Sequence, residues 1–190
     1  DAGKVRDALI DKGLSVLSVR RTFATVKAVI NLAIAEHGLD IRNAFSGIYM
    51  PDAESKKRVS IPVETIRQIQ QSCLDHDDDM RWLIALISDT GMRLAEAAGL
   101  HVNDIKLDED IPYVDIKPHP WRSLKTKGSQ RQVPLVGASL WAAQRIKANA
   151  SSCFAFPRYT DNTRCNANSA SNALNKWLHA NFRKDIVIHG

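Results

Sequence analysis

Residues 89–100 read Asp-Thr-Gly-Met-Arg-Leu-Ala-Glu-Ala-Ala-Gly-Leu, with apolar segments on both sides of a glycine. The pattern predicts two helices with a turn at Gly91, and it places Arg93 in the first turn of the second helix. Arginine presents five N–H donors in a fixed fork and keeps its charge, which suits binding a phosphodiester. An ordinary surface arginine paired with Glu96 has the same local sequence. Glu96 either orients Arg93 or packs beneath it.

Two segments further along the chain resolve this ambiguity. Residues 124–135 read Leu-Lys-Thr-Lys-Gly-Ser-Gln-Arg-Gln-Val-Pro-Leu, and residues 188–190 read Ile-His-Gly. With residues 89–100, and in this order, they resemble the arginine, lysine and His-x-x-Arg boxes of the tyrosine recombinase (phage integrase) family. The resemblance extends from about Leu14 to the last residue. It implies a mainly helical α+β catalytic domain with a small antiparallel sheet, preceded by helices of a core-binding domain.

The resemblance implies catalytic roles for Arg93, Lys125 and His189. In the family, the arginine stabilises charge on the nonbridging phosphate oxygens, and the lysine protonates the 5′ leaving oxygen from a mobile hairpin. The histidine assists proton transfer near neutral pH. Lys127 lies two positions from Lys125 and replaces it if the hairpin register differs, so the choice of lysine stays open. Arg131 is interpreted as a structural or phosphate-positioning residue.

The resemblance also implies a reaction and its partners. The reaction is site-specific recombination of an integrase type, through a 3′-phosphotyrosyl intermediate, without metal or cofactor. The partners are double-stranded DNA with an attachment-type site and, for a full-length enzyme, three further copies in a tetramer. Tyr49, Tyr113 and Tyr159 do not stand where the family keeps its nucleophile, and the second arginine is not reached. The expectation is a monomeric fragment that binds DNA without cleaving it. Excisive recombinases and resolvases share the boxes, and the phage-like second box favours an integrase.

The charge distribution agrees with a polyanionic partner. The net charge is +5, and residues 111–190 carry twelve Lys and Arg against three Asp and Glu, an excess of +9. Such a basic region suits nucleic acid, although charge alone does not separate DNA from RNA or a membrane surface. No run of 18 apolar residues and no signal-peptide pattern occur, so we expect a cytoplasmic, nucleoid-associated protein. Three widely spaced cysteines fit neither a zinc site nor a disulfide framework.

Periodicity and breakers divide the chain into a helical segment at 1–50, a linker at 51–59 and a catalytic domain at 60–190. In the first segment, Ser18 is predicted to cap a helix that exposes Arg20 and Lys27, which we interpret as DNA-phosphate contacts together with Lys127 and Arg131. The remaining segments are predicted as follows: helices at 4–12, 62–74, 80–88, 94–100, 139–149 and 169–182, and strands at 113–116 and 131–135.

Two other functions compete with the recombinase hypothesis. A non-catalytic helical DNA-binding protein would use Arg93 and Lys125 only to position phosphates, and these residues need not then converge. A metal-dependent nuclease would use the aspartates at 77–79, but consecutive loop positions cannot converge on one ion without further ligands. We therefore interpret 76–79 as a solvated acidic loop.

Overall fold

A computed structural model describes residues 1–52 and 60–188 and divides the chain into two compact units, 1–59 and 60–190. Most of the predicted linker, 53–59, lies outside the described residues. Each unit has its own buried apolar cluster. The described residues form seven α-helices and a three-stranded antiparallel sheet, which confirms the predicted fold class.

The first unit is built on helices α1 (Ala2–Asp11) and α2 (Val16–His37). The cap of α2 is Ser15, whose hydroxyl accepts the Ser18 N–H at 3.2 Å, so the prediction of Ser18 as the cap was wrong. Ser15 lies just before the helix and Ser18 lies just before its first buried residue, Val19, so the spacing of apolar residues alone does not identify the cap. Val19 and Phe23, four positions apart, are buried on one face of α2.

The second unit gathers its helices around one core. They are α3 (Val63–His76), α4 (Asp79–Thr90), α5 (Leu94–Ala98), α6 (Gly137–Ala148) and α7 (Ala167–Asn181). Helix α4 is the central one, because it packs against both α3 and α6 and buries the consecutive residues 83–86. Four consecutive buried residues point to all sides of a helix, so neighbours on several sides are needed to remove them from water. Helices α6 and α7 each begin two residues before the predicted start.

The sheet comprises β1 (Ile105–Lys106), β2 (Tyr113–Ile116) and β3 (Arg131–Pro134), paired in that order. Val114 lies opposite Val133, and Val114 and Ile116 face the core while the alternate residues Tyr113 and Asp115 are half-buried. Strand β1 was not predicted, because two residues are too few to show alternation. The β2–β3 connection, 117–130, carries the second sequence box and contains a 3₁₀ turn at Lys127–Ser129.

Candidate phosphate-binding site

A sharp turn between α4 and α5 places Arg93. Helix α4 ends at Thr90 and is capped by Gly91, whose φ of 60° lies in the left-handed region that favours glycine. Met92 is buried and fixes the turn to the core. Arg93 is the N-cap of α5 in an extended conformation, with φ −64° and ψ 145°, rather than a residue of its first turn as predicted. The backbone therefore turns there, and the Arg93 side chain stays about half exposed, at 46%.

Two acceptors orient the Arg93 guanidinium. Its Nη1 donates to Glu96 Oε1 at 2.8 Å and to Ser129 Oγ at 3.2 Å. These two bonds use both Nη1 hydrogens. Among the described residues, no acceptor meets Nε or Nη2 of Arg93. The remaining edge is the one through which arginine binds carboxylates and phosphates with two parallel hydrogen bonds.

Glu96 is the buried centre of this arrangement, with 3% exposure. Its carboxylate accepts the Arg93 backbone N–H at 3.0 Å and Arg131 Nη2 at 2.9 Å, besides Nη1 of Arg93. Burial acts to raise the pKa of Glu96, but hydrogen bonds from Arg131 and Arg93 outweigh it and hold the pKa below its usual value. Glu96 is therefore a carboxylate at neutral pH, and it both orients Arg93 and packs beneath it.

Arg131 shares this carboxylate. Its Nη2 binds Glu96 Oε2, and its Nη1 lies 3.3 Å from Glu96 Oε1 and donates to the Ser129 carbonyl at 2.9 Å. Two guanidinium groups thus meet one carboxylate, which leaves an excess of one positive charge. Arg131 directs its Nη atoms towards Glu96 and the Ser129 carbonyl, and its role at a phosphate stays a prediction.

The lysine-bearing loop lies directly against Arg93. Thr126 Oγ1 and Ser129 Oγ are 2.9 Å apart, and the Ser129 N–H donates to the Thr126 carbonyl at 3.0 Å. Lys125 precedes this turn and is exposed. The Lys127 side chain lies outside the described part of the structure, and so does His189. A polar cavity of 370 Å³ opens at this place, lined by Gly91, Arg93, Thr126, Gly128, Ser129 and Arg131.

Residues 60–190, more than half of the chain, match the model of the phage integrase family. The chain belongs to the phage integrase family. This confirms the family that the three sequence boxes indicated.

Solved structures of the Tn1549 transposon integrase have the same fold as this integrase-family chain. One, in complex with circular intermediate DNA, has a TM-score of 0.65 and 18% identity over 95% of this chain and 64% of that one. Another, a variant in complex with transposon right end DNA, has a TM-score of 0.70 and 17% identity over 99% of this chain and 68% of that one. This chain thus spans about two thirds of their length. A comparison with curated proteins found no match.

A buried arginine in the integrase-family unit was missed by sequence reasoning. Arg122 is 4% exposed, and it donates to the backbone carbonyls of Glu96 and Lys117. It thereby joins the middle of α5 to the start of the β2–β3 connection. Its neighbour Trp121 donates to the Gly99 carbonyl at 3.0 Å and stacks on His119, with ring centroids 4.5 Å apart. The available signal was Trp121 beside Arg122 in a connecting segment, since tryptophan is highly buried on average.

The predicted DNA contacts of the first unit lie on α2. Arg20 and Lys27 are both exposed, as the helical pattern indicated. Arg20 Nη2 donates to the Pro51 carbonyl at 3.2 Å. The backbone carbonyl of Lys27 accepts a hydrogen bond from the Asn43 side chain at 3.0 Å, and the Lys27 ammonium group takes no part in this contact.

The acidic loop is structural rather than simply solvated, which corrects the interpretation of 76–79. The Asp77 carboxylate forms an ion pair with Arg145 and accepts Trp82 Nε1 at 2.7 Å. Asp78 caps α4 by accepting the Arg81 N–H at 3.0 Å. Within residues 1–52 and 60–188, no three His, Cys, Asp or Glu side chains are grouped as a metal site. In the same ranges, no helix is long and apolar enough to cross a membrane.

Proposed function

We propose that this chain comprises the end of a core-binding domain, residues 1–50, and a catalytic domain, residues 60–190, of an integrase that recombines DNA at specific sites. The carrying observation is the Arg93 guanidinium, held at Nη1 by Glu96 and Ser129 with its Nε and Nη2 edge unused by the described residues. Support also comes from membership of the phage integrase family and from the Tn1549 integrase structures, which are complexes with DNA.

In the proposed mechanism, Arg93 binds the two nonbridging oxygens of one phosphate. Attack at phosphorus builds negative charge on these oxygens, and a fixed cationic fork stabilises that charge more than it stabilises the ground state. Glu96 does not neutralise Arg93, because Arg131 balances the negative charge of the same carboxylate. One positive charge therefore remains to meet the phosphate. Lys125 is the proposed donor of the proton that the 5′ leaving oxygen needs, with Lys127 as the alternative, and His189 is proposed to assist proton transfer.

We also propose that none of the three tyrosines attacks DNA, so that this chain binds DNA without cleaving it. Tyr159 is 4% exposed, and desolvation raises the pKa of its hydroxyl, which makes it a poor nucleophile. Tyr113 is half-buried in β2, and Tyr49 belongs to the first unit. A duplex with a nicked, trapping cleavage site is expected to give no covalent protein–DNA adduct. An adduct that maps to Tyr49, Tyr113 or Tyr159 would overturn this part of the proposal.

The rival function is DNA binding without catalysis. Residues that only position phosphates can spread along a groove, whereas catalytic groups must surround one phosphate. The contacts of Arg93 with Ser129, and of Ser129 with Thr126, favour the catalytic arrangement, since Thr126 directly follows Lys125. Arg93 and Lys125 at distant places on the surface would have favoured DNA binding without catalysis.

Salt-dependent binding to duplex DNA tests the proposal. We expect the affinity of the chain to fall steeply with salt, because phosphate contacts release condensed counterions. Arg93→Ala should weaken binding by roughly tenfold or more, as a charge-assisted hydrogen-bond pair is worth about 1.5–3 kcal/mol. Arg67→Ala is the matched control, because Arg67 is 71% exposed and pairs with Glu64 at 3.6 Å. Affinity that stays flat with salt, or equal losses in the two variants, would contradict the proposed role of Arg93.

A further inference from the structure

Ser129 differs from its neighbours in the β2–β3 connection. It is 6% exposed, whereas Gly128 and Gln130 are exposed. Its hydroxyl contacts Arg93 Nη1 at 3.2 Å and Thr126 Oγ1 at 2.9 Å. Its carbonyl accepts from Arg131 Nη1 at 2.9 Å. Ser129 is thus a buried residue of a surface loop, with its hydroxyl against Arg93 and its backbone carbonyl against Arg131.

These contacts attach the lysine-bearing turn to the domain. Within the described part of the chain, every side-chain hydrogen bond between residues 124–130 and the rest of the second unit involves Ser129. The turn itself is closed by the Ser129 N–H on the Thr126 carbonyl. Leu124, directly before Lys125, packs partly buried against the core, and Ser129, acting through Thr126, holds the other side of the exposed Lys125.

A hydroxyl is chemically suited to this role. It accepts from the guanidinium and can donate to Thr126 at the same time. It is also neutral, so it orients Arg93 without reducing the positive charge that a phosphate would meet. Glu96 orients the same Nη1 group but adds a negative charge, which only the presence of Arg131 offsets.

We propose that Ser129 is a positioning residue that fixes the Arg93 guanidinium and the Lys125 turn to each other, so that one DNA phosphate meets both cations. The inference rests on the proposed function of the Arg93 site and assigns the element that assembles it. With alanine at 129, the hydroxyl bonds to Arg93 and Thr126 are lost, and only the backbone bonds of residue 129 with Thr126 and Arg131 remain. Threonine at 129 keeps a hydroxyl in place.

The test uses the 190-residue chain with Ser129→Ala, Ser129→Thr and the control Ser123→Ala, a hydroxyl deletion at an exposed position of the same loop. Backbone ¹⁵N relaxation should show order parameters for the 125–128 amides falling from about 0.85 to below about 0.6 in Ser129→Ala only. Inorganic phosphate, followed by the Arg93 Nε resonance, should bind roughly threefold to tenfold more weakly, because an immobilised side chain must be ordered again. Ser129→Thr should restore both readouts.

The outcomes separate the two proposals. An ordered loop in Ser129→Ala, or equal effects in Ser123→Ala, overturns the role of Ser129 even if DNA binding is normal. An Arg93 Nε resonance in the unsubstituted chain that responds neither to phosphate nor to duplex DNA overturns the proposed function instead. Tryptophan fluorescence checks folding, since all four tryptophans lie in residues 60–190.

Discussion

Replacing Glu96 by glutamine should destabilise the second unit by about 2–3 kcal/mol. The carboxylate is 3% exposed and accepts hydrogen bonds from Arg93 and Arg131 at 2.8 Å and 2.9 Å. Breaking a fully buried ion pair costs about 3–5 kcal/mol. The two arginine side chains are 46% and 36% exposed, so water recovers part of that loss and the expected value is lower. A glutamine amide group would also direct N–H donors towards a guanidinium.

Urea unfolding followed by tryptophan fluorescence measures this effect in the right unit. The tryptophans stand at 82, 121, 141 and 177, all in residues 60–190, so unfolding of the first unit does not enter the signal. Glu64→Gln is the matched control, because Glu64 is 71% exposed and its pair with Arg67 is 3.6 Å long. Exposed pairs of this kind contribute about 0.3–0.5 kcal/mol.

The direction of the Glu96 pKa shift predicts how the destabilisation by Glu96→Gln changes with pH. The pKa of Glu96 in the folded chain lies below its usual value, because hydrogen bonds from the two arginines outweigh desolvation. The stabilisation is therefore complete above the unfolded pKa of about 4.3, and it is lost as the pH falls through the lower folded value. The difference between the native chain and Glu96→Gln should shrink as the pH is lowered from 6 to below 4. A constant difference, or one under about 0.5 kcal/mol at pH 7, refutes the ion-pair reasoning.

Two further predictions concern packing and thiol reactivity. Gly99→Ala should lower the urea midpoint of the second unit, because an added Cβ would lie 2.8 Å from Arg122 Cδ. Gly128→Ala is the control, since nothing lies within 4 Å of its added Cβ, and equal midpoints for the two variants would contradict the prediction. Burial raises the pKa of the Cys73 thiol to about 12, so at pH 8 an aromatic disulfide reagent should label the exposed Cys153 quickly and Cys73 only on unfolding. Fast labelling of Cys73 in the folded chain would show that its site is open.

Elements that repeat a pattern over several turns were predictable from the sequence. Helix α4 and the buried stripe of α2 follow from apolar spacing, and the turn at Gly91 follows from the need for a left-handed residue there. Their ends were less predictable. Ser15 and Ser18 are both residue types that cap helices. What identifies Ser15 as the cap is the hydrogen bond that its hydroxyl accepts from the Ser18 N–H.

The site required contacts that local patterns do not encode. Ser129 meets Arg93 across 36 positions of sequence, and Arg122 meets the Glu96 carbonyl across 26. A serine after a glycine in a charged loop predicts solvent exposure, and only the folded β2–β3 connection brings it under a guanidinium. The aspartate at 77 is similar, because its partner Arg145 lies 68 positions away. The local sequence therefore predicted a solvated Asp77 carboxylate, whereas the folded chain pairs it with Arg145.

The two interpretations of Arg93 offered by its sequence are compatible. Arg93 does pair with Glu96, as an ordinary surface arginine at i,i+3 would. That pair uses one nitrogen of the guanidinium, and Arg131 supplies a second positive charge to the same carboxylate. The ion pair thus sets the direction of Arg93 without neutralising the cluster. Under the proposed function, an arginine held this way binds a phosphate with little reorganisation, which is the property that transition-state stabilisation requires.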